Sequence, residues 1–107
     1  MTTFQRLTKM ATNKDAAVRR YVAQHDRLPV KVIDKLSKDV DCEVRRLIAQ
    51  NPNTSEKVLV KMSTDADRWV RCAIAKNPST PSDVLTALKN DSDSRVQDAV
   101  NWNPVNN

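Results

Sequence analysis

The chain has 107 residues and a formal net charge of +5, with 39% hydrophobic and 29% charged residues. This length fits one domain, and the absence of glycine excludes the glycine-rich loops that bind phosphates and dinucleotides. No apolar run approaches the roughly 18 residues of a membrane span and no signal-peptide pattern opens the chain, so we expect a cytoplasmic protein with no membrane partner.

One sequence motif recurs along the chain with a period of 26 residues. It begins at Val18, Val44 and Val70, and a diverged copy begins at Val96. A period between about 20 and 50 residues is typical of a solenoid, in which each unit stacks on its neighbours. We therefore predict a single repeat domain over residues 1–107. Its units are a partial one at 1–14, full repeats at 15–40, 41–66 and 67–92, and a partial one at 93–107.

The first segment of each unit is predicted to be an α-helix that begins after an aspartate N-cap, whose carboxylate accepts free backbone N–H groups. The caps are Asp15, Asp41, Asp67 and Asp93. Val44, Leu47 and Ile48 then fall on one helical face. Tyr21 takes the position of Leu47 and is predicted to be a core residue. The helix should end before Asn51-Pro52, because proline disfavours helical geometry in the preceding residue.

The second segment of each unit is shorter, and its propensities allow an α-helix. Its apolar residues follow helical spacing. These triplets are Val32/Ile33/Leu36, Val58/Leu59/Met62 and Val84/Leu85/Leu88. Thr80 is predicted to be an N-cap, with Pro81 at the first helical position and Asp83 completing a capping box. Isolated helices this short are marginal in water, so stacking of units must stabilise them.

The residues that recur in each unit resemble the variant leucine-rich repeat of bacteria. In one unit they read Asp41-x-x-Val44-Arg45-Arg46-x-Ile48-Ala49-x-Asn51-Pro52-x-Thr54, followed by Val58, Leu59 and Met62. The resemblance implies an all-α, right-handed α-solenoid, in which α-helices alternate with shorter, 3₁₀-like helices. The family has no common enzymatic activity, so the resemblance implies a general binding role. One member binds an iron–sulfur cluster through N-terminal cysteines, but no cysteine precedes Cys42 here, and we expect no cofactor.

One arginine in each full unit follows the aspartate cap by four residues. The pairs are Asp15/Arg19, Asp41/Arg45 and Asp67/Arg71. Side chains four residues apart meet on a helix, so these arginines are predicted to pair within a unit or to bridge to the next one. A row of phosphate-binding arginines is the alternative. Asp39, Asp65 and Asp91 precede each new unit and are predicted to be turn residues.

Basic residues are concentrated in the N-terminal part of the chain. Residues 1–61 contain 13 Lys/Arg and 7 Asp/Glu, a net charge of +6. The second segments carry a predicted basic stripe, which consists of Lys9, Lys31, Lys35, Lys57 and Lys61, with Arg20 and Arg46 as extensions. The stripe is either an anion-binding surface or a solvated one. Nucleic-acid binding through it would depend on phosphate contacts and on salt concentration.

Few aromatic residues are present, and Trp69 is the most informative of them. Its counterparts in the other units are Ala17, Glu43 and Arg95, so we expect an indole that is at least partly exposed. It is either an interface anchor or a residue that packs across a groove. Phe4 and Trp102 are predicted to cover the two ends of the core.

His25 takes the position of Asn51 and Asn77 and is predicted to make the same hydrogen bond at the turn. It is the only histidine, and no Cys or carboxylate set lies at ligand spacing from it, so we expect no metal site. No nucleophile recurs at a fixed spacing from it, so we expect no catalytic residues.

The sequence therefore favours a non-catalytic interaction module that binds another protein, one with an acidic surface. Nucleic-acid binding through the basic N-terminal half is the first alternative. Self-assembly through the open ends of the repeat stack is the second.

Overall fold

The computed structural model describes residues 1–106, which form helices joined by short turns, with no strand among them. The helices are α1 (Thr3–Met10), α2 (Ala16–Ala23), α3 (Val30–Leu36), α4 (Cys42–Gln50), α5 (Glu56–Met62), α6 (Arg68–Lys76), α7 (Ser82–Leu88), α8 (Ser94–Val100) and a 3₁₀ helix at Pro104–Asn106. The all-helical fold class is thus confirmed. In this part of the chain no helix has the length and apolar character needed to cross a membrane.

Helices α2, α4, α6 and α8 each begin after an aspartate, as predicted. Each of the four cap carboxylates accepts a backbone N–H of the first helical turn, which satisfies a group that the helix itself cannot. These helices begin 26 residues apart, at Ala16, Cys42, Arg68 and Ser94. Helices α4 and α6 end directly before an Asn-Pro pair, because proline restricts the residue that precedes it.

Helices α3, α5 and α7 have seven residues each and are α-helical rather than 3₁₀. The predicted capping box at Thr80 is wrong. Pro81 is the N-cap of α7 and offers no side-chain hydrogen bond. The buried Thr80 hydroxyl instead donates to the carbonyl of Ile74 at 2.7 Å. This carbonyl accepts from the backbone N–H of Asn77, but Pro78 has no N–H to give it the usual i+4 bond, and the threonine hydroxyl takes that place.

The core lies between two sets of helices. Helix α4 contacts α2 and α6, helix α6 also contacts α8, and the short helices α3, α5 and α7 pack against this set. All residues of the three predicted apolar triplets are buried, together with Val44, Ile48, Val70 and Ile74. The molecule measures 44 × 22 × 18 Å.

Two predictions about aromatic core residues are wrong. Tyr21 is 53% exposed, and its ring makes an edge contact with His25, with the centroids 4.9 Å apart. Its position lies at the margin of the core, where Leu47 is half-buried and the small Ala73 is buried, so a large ring extends into solvent. Trp102 is 73% exposed and covers no end of the core, while Phe4 is half-exposed.

The predicted pairing of Arg19, Arg45 and Arg71 with the cap aspartates is wrong. Each arginine pairs instead with an aspartate that follows it by 20 residues in the same unit. Arg45 Nε lies 2.9 Å from Asp65 Oδ2, and its Nη1 donates to the carbonyl of Asp39 at 2.8 Å. The equivalent pairs are Arg19–Asp39 and Arg71–Asp91. Within a unit, the cap carboxylate is already bonded to the backbone, so the long arginine reaches the turn that follows the second helix.

A row of asparagines forms links between units. The buried Nδ2 of Asn77 donates to the carbonyls of Ala49 and Asn51 at 2.8 and 3.0 Å, and Asn103 repeats both bonds one unit later. His25 differs from the prediction, because its Nδ1 donates to carbonyls of its own helix, those of Tyr21 and Val22. Hydrogen bonds of this kind satisfy the free carbonyls at helix ends.

Candidate functional site

Helix α6 has one face on which the exposed side chains of Trp69 and Lys76 lie together with the buried Cys72. Val70 and Ile74 of this helix are fully buried. Trp69, Cys72 and Lys76 follow the spacing i, i+3, i+7 and share another face of the helix. Trp69 is 50% exposed, which confirms the prediction that its indole is at least partly exposed.

Two grooves flank this face of α6. The α4–α6 groove has a volume of about 230 Å³, and its lining includes Arg46, Gln50, Trp69, Cys72, Ala73 and Lys76. The α6–α8 groove has a volume of about 310 Å³, and its lining includes Trp69, Cys72, Lys76, Arg95, Asp98 and Trp102. Trp69, Cys72 and Lys76 contribute to both grooves. A ligand that contacts Trp69 can therefore extend onto either side of α6.

The charges around Trp69 are predominantly positive. Arg46 and Lys76 line the α4–α6 groove, which has no carboxylate in its lining. In the α6–α8 groove, Lys76 and Arg95 lie with one carboxylate, that of Asp98. Arg95 Cζ is 5.7 Å from the centroid of the Trp69 ring, a cation–π contact that holds the indole in place. The site is thus an aromatic surface with cations on both sides.

Arg46, which lines the α4–α6 groove, forms an ion pair in which both side chains are partly exposed. Its Nη2 pairs with Oε1 of Glu43 on the same helix. Its Nε is shielded from solvent and has no acceptor among the described residues. The guanidinium therefore retains unused hydrogen-bonding capacity beside Trp69.

Cys72 lies beneath both grooves, and burial raises the pKa of its thiol. The thiol therefore stays protonated near neutral pH, and a protonated thiol is a poor nucleophile and a poor metal ligand. In residues 1–106 no group of three or more His, Cys, Asp or Glu side chains is placed to hold a metal ion. The two grooves offer apolar contact, a cation–π contact and ion pairing.

The predicted binding residues fall into two separate groups. Trp69 and Arg46 line one groove, whereas Lys9, Lys31, Lys35, Lys57 and Lys61 line neither groove at Trp69. Each of these five lysines is exposed and forms no ion pair with a described residue. Lys35 lies instead in a wider groove with Lys14, Arg19 and Lys38. Arg20 is bonded to Asp41, the cap of the next helix, at 2.7 Å.

The large polar and aromatic residues of the site that were not predicted as binding candidates include Gln50, Lys76, Arg95 and Trp102. They occupy two positions of the repeat, 24/50/76/102 and 17/43/69/95. Superposition of the units on the 26-residue period places both positions on the exposed face of the first helices, and this signal was available in the sequence. No protein-family model, curated protein or solved structure matches the chain.

Proposed function

We propose that this protein is a cytoplasmic, non-catalytic interaction module that binds another protein, built as a right-handed α-solenoid of 26-residue repeats. The repeated helix starts, 26 residues apart, support the repeat architecture. The Arg20–Asp41 ion pair and the asparagine–carbonyl hydrogen bonds, which join successive units, support it further. The likeness to the variant leucine-rich repeat family is part of the same proposal.

The observation that carries the binding function is the placement of Trp69. The indole is half-exposed, shared by two grooves and fixed by Arg95. An ordered and exposed tryptophan supplies much apolar contact at little cost in side-chain entropy, which is why tryptophan is enriched among the residues that dominate interface energies. Trp102, also exposed, extends the apolar surface across the α6–α8 groove.

A second candidate function is nucleic-acid binding through the basic stripe. It is favoured by five exposed lysines that have no ion-pair partner among the described residues. Such binding would be electrostatic and tolerant of sequence, and it would weaken steeply as salt is added. Because none of the five stripe lysines lines a groove at Trp69, the two candidate functions can be tested separately.

Affinity capture from a cell lysate, with and without nuclease, tests the two functions together. We expect the bound protein to persist after nuclease treatment, to be lost with Trp69→Ala, and to be retained by the double variant Lys35→Glu/Lys61→Glu. Tyr21→Ala is the matched control, because it removes an aromatic side chain of similar exposure outside both grooves.

The opposite pattern would support the second function. Loss of the captured material on nuclease treatment and in the double lysine variant, with no effect of Trp69→Ala, contradicts the protein-binding proposal. Light scattering at several protein concentrations tests the self-assembly alternative, because a mass that stays at one chain excludes it.

A further inference from the structure

We propose that the α4–α6 groove binds an acidic linear peptide, in which an apolar side chain packs against Trp69 and a neighbouring carboxylate pairs with Arg46 and Lys76. This inference rests on the proposed protein-binding function and specifies the chemistry of the partner. It would fail separately from that function if the groove bound peptides of another character.

The first argument comes from the different roles of two equivalent arginines. Arg20, one unit before Arg46, donates from Nε to Oδ2 of Asp41, the N-cap of α4, at 2.7 Å. The corresponding partner of Arg46 would be Asp67, but Asp67 accepts from the backbone N–H of Val70 and forms no ion pair with Arg46. Arg46 is thus released from the structural role of its counterpart.

The second argument concerns the donor that this release leaves unused. The Nε and Nη2 groups form one edge of a guanidinium, the edge that suits a carboxylate with two parallel hydrogen bonds. In Arg46 the Nη2 group contacts Glu43, while Nε has no acceptor among the described residues. A buried donor without an acceptor is unfavourable. A small rotation of this side chain, which is 39% exposed, would present the whole edge to a ligand carboxylate.

The third argument is charge complementarity along the groove. Arg46 and Lys76 are its only charged lining residues, and both are cationic. Gln50 adds an exposed side-chain amide to the lining, which can donate to and accept from a peptide backbone. The groove therefore offers an apolar wall, two cations and an amide, which suits an acidic extended segment.

A peptide fits this site better than a nucleic-acid strand does. Glu43 contacts Arg46 and Asp98 lines the adjacent α6–α8 groove, so both would repel a strand that carries a negative charge at every residue. A peptide can place one carboxylate between the cations and neutral groups elsewhere. Arg95 already lies over the Trp69 ring, which limits the stacking of successive bases that single-stranded binding uses.

The experiment begins with selection from a displayed library of random linear peptides on the immobilised protein. We expect enriched peptides to contain an aromatic or aliphatic residue next to Asp or Glu. A synthetic fluorescent peptide of the enriched sequence then serves as the probe in anisotropy titrations. Arg46→Met and Lys76→Met should each weaken binding about tenfold, as for loss of an interfacial ion pair.

Two further variants separate ligand contact from general damage. Lys89→Met removes an exposed lysine outside both the groove and the basic stripe and should leave affinity unchanged. Glu43→Gln releases Nη2 of Arg46 and should strengthen binding roughly threefold. A purely structural role of Arg46 predicts no gain in affinity from Glu43→Gln.

Three results would overturn the inference. Enriched peptides that lack acidic residues but lose binding with Trp69→Ala would overturn it while leaving the protein-binding function intact. Displacement of the probe by a poly(U) oligonucleotide that itself depends on Arg46 would assign the groove to nucleic acid. An absence of any enriched peptide sensitive to Trp69→Ala would overturn the inference, and the affinity capture described above would then decide the protein-binding function by itself.

Discussion

At Asp39, Asp65 and Asp91 one carboxylate has two structural tasks. Its Oδ1 accepts the backbone N–H two residues later, which closes the turn, as predicted for these residues. Both oxygens also accept from an arginine 20 residues earlier, and this hydrogen bond raises the pKa of Arg19, Arg45 and Arg71. Helix α8 has Gln97 in place of the arginine, and the amide keeps only the bond to the carbonyl of Asp91.

Arg45→Met should lower the free energy of unfolding by about 1–3 kcal/mol, because it leaves the mostly buried Asp65 carboxylate without its partner. The cost lies below that of a fully buried pair, since both side chains retain contact with water. Urea unfolding followed by circular dichroism measures the change. Lys57→Met is the control at an exposed site. An equal loss in both variants would contradict the structural role of Arg45.

The stability of the protein should also depend on the ionisation of Asp41. The hydrogen bond from Arg20 is the main reason why the pKa of Asp41 is lowered. A lowered pKa in the folded state stabilises the protein above the unfolded-state pKa of about 4, and that stabilisation is lost as the pH falls through the folded-state value. Asp41→Asn should therefore destabilise the protein at neutral pH and reduce the change in stability between neutral and acidic pH.

Urea midpoints at about pH 7 and pH 3 measure this difference. Asp34→Asn is the control, because it removes an exposed carboxylate and keeps the bond between Arg20 and Asp41. If Asp41→Asn retained the full pH dependence of the parent protein, the assignment of Asp41 would be wrong.

At the scale of helices, the asparagine of each Asn-Pro pair has a second role besides its place at the end of a helix. Proline prevents the helix from continuing, and the asparagine turns its amide toward the preceding unit. There Nδ2 of Asn77 donates to the carbonyls of Ala49 and Asn51 at the end of α4, while Oδ1 accepts the backbone N–H two residues later. The stop signal and the contact between neighbouring helices are thus supplied by the same residue.

Asn77→Ala should lower the free energy of unfolding by about 2–4 kcal/mol, because it removes two donated hydrogen bonds and one accepted bond in a buried position. Asn90→Ala, at an exposed turn, should change it by less than about 0.5 kcal/mol. Chemical denaturation of both variants provides the comparison. If Asn77→Ala lowered the free energy of unfolding no more than the control does, the hydrogen bonds of this asparagine would add little to stability.

At the scale of the whole molecule, packing is uneven along the chain. Helix α4 packs against α2, α3 and α6, and α6 packs against helices on both sides of it, whereas α1 packs mainly against α2. Buried apolar residues follow the same distribution, since α6 contains five of them and α1 contains only Leu7. Local stability depends on such burial, so the first helix should open more readily than the middle of the molecule.

Hydrogen exchange followed by mass spectrometry should therefore show the slowest exchange in α4 and α6 and the fastest in α1. We expect exchange in α4 and α6 to follow global unfolding and to accelerate with added urea. Exchange in α1 should depend little on urea at low concentrations, because local opening exposes little surface. Uniform protection across all helices would contradict this gradient.

Local features of the sequence were sufficient to predict the helices and the core. Aspartate caps, Asn-Pro stops and apolar spacing act within a few residues, and the structure has the helices and buried triplets that they predict. The errors also have local causes. The prediction of a Thr80 cap is wrong because the threonine hydroxyl donates to a carbonyl six residues earlier. The prediction that Tyr21 is buried is wrong because equivalent positions of the repeat do not offer the same room for a side chain.

Only the tertiary structure decided which distant groups meet. The partners of Arg45 and Asn77 lie 20 and 26 to 28 residues away, and spacing alone does not distinguish them from nearer candidates. The division between the Trp69 grooves and the lysine stripe likewise depends on how the helices pack. Helix formation depends on contacts within a turn, which the sequence itself specifies. A binding surface depends on the arrangement of several helices, which is fixed only when the chain folds.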